Sequence, residues 1–141
     1  MPDDVKSLTR RFYAEVSAGN LDVFDELLAD DFVDHEELPG DLPQDKQGVK
    51  QFFAMLRSAF PDMRMEVEDL IAEGDKVVAR ISMTATQRGE FMGVPPSGRS
   101  VDVQIIDVLR IRDGQATEHW GIIDGMALMQ QLGAIPEAGP A

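Results

Sequence analysis

The chain contains no cysteine. Disulfides, thiol nucleophiles and thiolate metal sites are excluded together, and the absence fits a reducing cytoplasm. Positive charge is scarce, with 13 basic residues against 26 acidic ones and a formal net charge of −13. Nucleic acid needs a basic footprint for its phosphates, so it is not an expected partner. An anionic membrane surface is disfavoured for the same reason. No apolar run approaches the roughly 20 residues of a spanning helix. Residues 1–20 are charged and amphipathic, without a secretory apolar core. Histidine is limited to His35 and His119, and neither stands in a paired-ligand motif, so no metal is expected. Repeats, low-complexity tracts and linkers are missing too. The 141 residues are therefore expected to form one domain with a real hydrophobic core.

The hydrophobic pattern supplies the elements. Asp3 and Asp4 can cap a helix over residues 5–18, which Gly19 and Asn20 end. A short helix follows over residues 21–28, then a short strand over 32–35 and an acidic, Pro- and Gly-rich loop over 36–43. A third helix over residues 46–59 has the stripe Val49, Phe52, Phe53, Leu56 and Phe60, and Pro61 stops it. From Met63 the period becomes two, with Met63, Met65 and Val67 alternating with Arg64, Glu66 and Glu68. Glu73-Gly-Asp75 turns into a partner strand over 76–87, and residues 88–99 form a long loop. Two β-branched runs, 101–111 and 115–124, flank Arg112-Asp-Gly114, a strong hairpin signal. Met126 to Leu132 reads as a final helix, and the tail from Pro136 to Ala141 as frayed. Helices gathered ahead of a strand meander argue for an α+β fold, an antiparallel sheet covered on one face. Strong curvature in such a sheet would enclose a blind apolar pocket, the default site for a small ligand.

The final hairpin embeds Asp107 and Asp124 among Val, Ile, Leu and Trp. An aspartate in apolar strand sequence is costly unless it is hydrogen-bonded or useful. On an unbroken strand Glu118, Trp120, Ile122 and Asp124 share one face, which would set the Asp124 carboxylate beside an indole in the cavity. Desolvation there would make it a stronger base. Alternatively, Asp124 caps the helix that follows. His119 faces the other way unless a bulge intervenes. His35 falls at a plausible cavity rim, where an imidazole could polarise a carbonyl or relay a proton. Of Gln104 and Asp107, on opposite faces by alternation, one is expected to point inward; Gln104 is a candidate donor to a substrate oxygen. Phe91 and Met92, large apolar residues in a Gly-rich loop, suit a lid or a dimer contact.

The run Thr84-Ala-Thr-Gln-Arg-Gly-Glu-Phe-Met-Gly-Val-Pro-Pro-Ser-Gly98 resembles a loop segment of the SnoaL-like polyketide cyclase (ester cyclase) family. So do Asp107-Val-Leu-Arg-Ile-Arg-Asp-Gly114, Glu118-His-Trp120, Asp124 and Gln131-Leu-Gly133. Phe32-Val-Asp-His35, Phe60-Pro-Asp62 and Glu73-Gly-Asp75 fall in the same order, extending the likeness over about residues 5–133. The resemblance implies the cone-shaped NTF2-like fold shared with ketosteroid isomerase and limonene epoxide hydrolase, cofactor-free chemistry on a bulky apolar substrate, and pairing into a homodimer. It implies further that an aspartate near the end of the last strand, here matched to Asp124, serves as acid/base in an intramolecular aldol ring closure. One departure is Gln87, where many members carry histidine.

The expected function is thus a cofactor-independent acid/base enzyme on an apolar carbonyl compound. Asp124 and His35 would be catalytic, with Trp120, Gln104, His119, Phe53, Phe91 and Met92 binding the substrate. Isomerisation or epoxide hydrolysis could use the same pocket. The alternatives are a non-catalytic protein that binds a small apolar molecule or a partner's segment, and a purely structural dimerisation module. An Asp124 carboxylate exposed to a deep pocket would favour the enzyme; an open pocket with Asp124 tied up as a helix cap would favour binding.

Overall fold

A computed structural model describes residues 2–136; the expected frayed tail beyond Pro136 lies outside them. The elements run α1 (Pro2–Ser17), α2 (Val23–Leu27), β1 (Leu28–Asp34), α3 (Lys46–Ala59), β2 (Arg64–Glu73), β3 (Lys76–Thr86), β4 (Ser100–Arg112), β5 (Gln115–Ile123) and α4 (Gly125–Gln131). This is the order expected, with one shift. Leu28 begins a strand where the local pattern continues a helix, so β1 is longer than its apolar core suggests. The cause is tertiary: β1 pairs parallel to β5, with Leu28 opposite Ala116 and Asp34 opposite His119.

The sheet order is β1-β5-β4-β3-β2. All neighbours except β1 and β5 are antiparallel, so the sheet is mixed. Alternation is clean in β4, where Val101, Val103, Ile105, Asp107, Leu109 and Ile111 turn inward. The β4–β5 hairpin closes through Asp113 and Gly114, both at positive φ (52° and 77°), as a two-residue turn of this hand requires. Register shifts at Val67/Asp69 and Arg110/Ile111 mark bulges, which bend a sheet and sharpen its twist.

The helices cover the inner face. Phe12, Tyr13 and Val16 of α1 and Val49, Leu56 and Ala59 of α3 pack with Phe24, Phe60 and the inward sheet residues into one core. The result is the NTF2-like α+β cone expected. Among the described residues no helix is long and apolar enough to cross a membrane.

The α3 helix has a defined start: the Asp45 side chain accepts the Gly48 N–H at 2.9 Å. Asp45→Ala should lower unfolding free energy by about 1 kcal/mol, the usual worth of an N-cap. Urea denaturation measures this, and an unchanged midpoint would show that the cap contributes nothing.

Candidate active site

Between the helices and the inner sheet face lies a cavity of about 580 Å³, within the range of small-molecule sites. Phe12 and Tyr13 of α1, Phe52, Phe53 and Leu56 of α3, and Leu128 and Met129 of α4 supply the helical side of its apolar wall. Phe91 and Met92 reach it from the loop between β3 and β4, and Glu36, Leu38 and Pro39 from the loop after β1. The sheet contributes Asp34, Met65, Met83, Ile105, Asp107, Leu109, His119 and Gly121. No lysine or arginine is among the lining residues described.

A bulge decides which residues of β5 belong to this wall. Ile111 is opposite Ala116, yet Arg110 is opposite Glu118, so Thr117 is an extra residue in β5. One inserted residue reverses the facing of all that follow. Ala116 is buried on the inner side; beyond the bulge the inward positions become His119 and Gly121, while Glu118 and Trp120 turn outward.

His119 is consequently clasped between two buried carboxylates. Its Nδ1 lies 2.9 Å from Asp34 Oδ1 and its Nε2 2.7 Å from Asp107 Oδ1. Tyr13 donates its hydroxyl to the other oxygen of Asp107 at 2.5 Å, and the Glu36 N–H donates to Asp34 Oδ1 at 2.9 Å. Burial disfavours charge on the imidazole, but hydrogen bonds to Asp107 and Asp34 and their charges prevail, pushing its pKa up to about 10. At neutral pH it is an imidazolium donating from both nitrogens. The Tyr13 pKa is raised by burial first and by Asp107 second, so this hydroxyl stays protonated. The array thus sets one imidazolium between two aspartates beside an apolar cavity. Gly121 makes the arrangement sterically feasible. A Cβ there would come within 2.5 Å of Asp107 Oδ1 and 2.7 Å of His119 Nε2.

The sequence-predicted residues divide between two sides of the sheet. His119, Phe53, Phe91 and Met92 meet at the cavity. Asp124 does not: its carboxylate caps α4 by accepting the Ala127 N–H at 3.0 Å, and it is exposed outside the lining. The inward Asp124 beside Trp120 inferred from simple alternation is corrected by the Thr117 bulge and by this cap. Trp120 stacks on His35, with centroids 4.8 Å apart, on the outer face, where Lys76 and Arg110 also approach the indole. His35 binds Glu118 at 2.9 Å instead of standing at a cavity rim. Gln104 also points outward, donating to Ser82 Oγ at 3.0 Å, and Asp107 is the inward member of that pair.

Sequence reasoning missed Asp34, Tyr13, Glu36 and Gly121. Asp34 and Asp107 did carry a signal, a carboxylate flanked by apolar strand residues; Tyr13 and Gly121 carried none. Gln87 has a different part. Fully buried, it donates to the carbonyls of Gly89 and Val94 and accepts from Ser97 N–H and Oγ. It thereby knots the loop that presents Phe91, whose ring packs 5.3 Å from that of Phe60.

Comparison with known proteins agrees with this architecture. The profile of a family described as SnoaL-like polyketide cyclase matches residues 7–132. Nogalonic acid methyl ester cyclase of Streptomyces nogalater is 24% identical over 118 residues, covering 83% of this chain and 88% of that protein. TsrD from Streptomyces laurentii superposes with a TM-score of 0.85 at 31% identity, covering 94% of this chain and 97% of the other. IdmH from Streptomyces antibioticus does so with a TM-score of 0.77 at 35% identity, covering 94% and 99%.

Two outcomes follow from the clasp. The folded pKa of His119 lies above the ordinary 6.5, so its stabilisation is complete below about 6.5 and is lost as pH rises through about 10. Denaturation of the wild type across that window should show stability falling faster than in His119→Gln; parallel curves would contradict the shift. Gly121→Ala should force the His119–Asp107 pair apart and cost about 1–3 kcal/mol in urea denaturation, as for a buried polar pair left unsatisfied. A loss below about 0.5 kcal/mol, normal for a neutral surface change, would contradict the crowding.

Proposed function

Because the chain belongs to the SnoaL-like polyketide cyclase family, we propose that it is a cofactor-independent acid/base enzyme that closes a ring in an apolar carbonyl compound by intramolecular aldol addition. The supporting observation is the imidazolium held between two carboxylates on the wall of an otherwise greasy cavity. Asp107 faces the cavity, and each of its oxygens keeps a lone pair beyond those committed to His119 and Tyr13. It takes the proton from the carbon next to the carbonyl, and His119 and Tyr13 hold it in the required geometry. The resulting enolate carbon attacks the second carbonyl of the same molecule. Apolar walls exclude water and strengthen each electrostatic contact. The acid/base role considered for Asp124 passes in this proposal to Asp107, and Asp124 remains a cap.

A second function is favoured by one observation. An open cavity with Asp124 committed to α4 is the arrangement expected of a protein that binds an apolar ligand without chemistry. Pairing of two copies through the sheet also belongs to the proposal; Val33, Ile71, Ile106 and Ile122 expose apolar surface suited to it.

Nogalonic acid methyl ester, named in the activity of the curated relative, is the first substrate to try. Ring closure followed by chromatography should fall about 100-fold or more in Asp107→Asn and His119→Asn, the usual worth of general acid/base groups. Asp124→Asn should retain turnover. Wild-type rates in Asp107→Asn would remove the array from the chemistry, and binding of the ester without ring closure would select the binding function.

A further inference from the structure

Ring closure moves two protons, one off carbon and one onto oxygen, and the clasped array supplies a place for the first. Resting on the function proposed above, we propose that Glu36 is the acid that donates its carboxyl proton to the substrate's carbonyl oxygen. Glu36 stands two residues beyond Asp34, lines the cavity and is half-buried. Its N–H donates to Asp34 Oδ1 at 2.9 Å, which fixes its backbone beside the array. The carboxylates of Asp34 and Asp107 are both committed to His119. The Glu36 side chain, by contrast, forms no hydrogen bond within the described residues, so it can turn to a ligand.

The surroundings favour the protonated form of this group. Burial raises its pKa, the His119 charge opposes that, and the negative Asp107 and Asp34 push it up again. The charged or titratable groups around it in the cavity are Tyr13 from α1, Asp34 and Glu37 from β1 and its loop, Asp107 from β4, and His119 from β5. The α3, α4, β2 and β3 contributions are apolar. Environments that hold one carboxyl protonated beside another carboxylate committed to a cation are how acid and base roles are separated in one site. The balance closes. The C–H proton goes to Asp107, the C–C bond forms as the carbonyl π bond opens, and the Glu36 proton passes to the new alkoxide. One proton is taken and one given, so a shift from the array to Glu36 restores the start.

The donor is testable without turnover. Prodan is a neutral aromatic ketone whose emission responds to hydrogen bonding at its carbonyl. Its binding to the intact protein is titrated from about pH 5 to about pH 8, a window in which carboxyls with raised pKa ionise. His119, at about 10, stays charged throughout. Affinity should be high at the acid end and fall about tenfold as Glu36 loses its proton, the worth of one hydrogen bond. Glu36→Gln, which keeps the shape and an N–H donor, should bind without the pH step. A step unchanged in Glu36→Gln, or pH-independent binding by the wild type, overturns the assignment while leaving the cavity function standing. Failure of Prodan to bind at any pH overturns both.

Discussion

The site depends on a buried cation gripped by two buried anions. His119 joins β5 to Asp34 on β1 and to Asp107 on β4, and Tyr13 ties α1 to the same cluster. The C-terminal hairpin and two elements from the first quarter of the chain thus meet at one set of hydrogen bonds. Burying charge is expensive unless every charge is paired, and removal of one partner strands the others. The cluster therefore tolerates little displacement. Its position at the cavity wall, beside Glu36 and Glu37, makes a preorganised polar spot in a surface otherwise built mainly from aromatic, aliphatic and methionine side chains.

Gly121 and the Thr117 bulge serve this cluster without joining it. The bulge turns His119 inward, and the glycine two residues on leaves the space in which His119 and Asp107 approach. On the opposite face the displaced residues build a separate assembly. Trp120 lies over His35, and Glu118 pairs with Arg110 at 2.8 Å, while Arg110 also reaches Asp75. This outer cluster braces the sheet from behind, and its members have no access to the cavity contents.

Much of the fold was legible because its signals are local. Helical stripes ended by Gly19 or Pro61, period-two alternation from Met63, and the Asp113-Gly114 turn each state their structure within a few residues. The NTF2-like cone followed from motifs spread along the chain. The site was less legible, since facing depends on register and register on distant partners. Thr117 has no feature that marks it as an inserted residue, yet it reversed the facing expected of Trp120 and Asp124 and turned inward the His119 that plain alternation points away. The parallel pairing of β1 with β5, which places Asp34 beside His119, leaves no local trace either. Gln87 is comparable: noted in the sequence only as a departure from the family's histidine, it proves to be a loop fastener once its four hydrogen bonds are seen.

The most direct test of the clasp is nitrogen-detected NMR of the His119 ring, assigned by comparison with a variant lacking it. Both ring nitrogens should report attached protons well above neutral pH, with the transition near 10. A single nitrogen deprotonating near 6.5 would contradict the buried imidazolium on which the account rests.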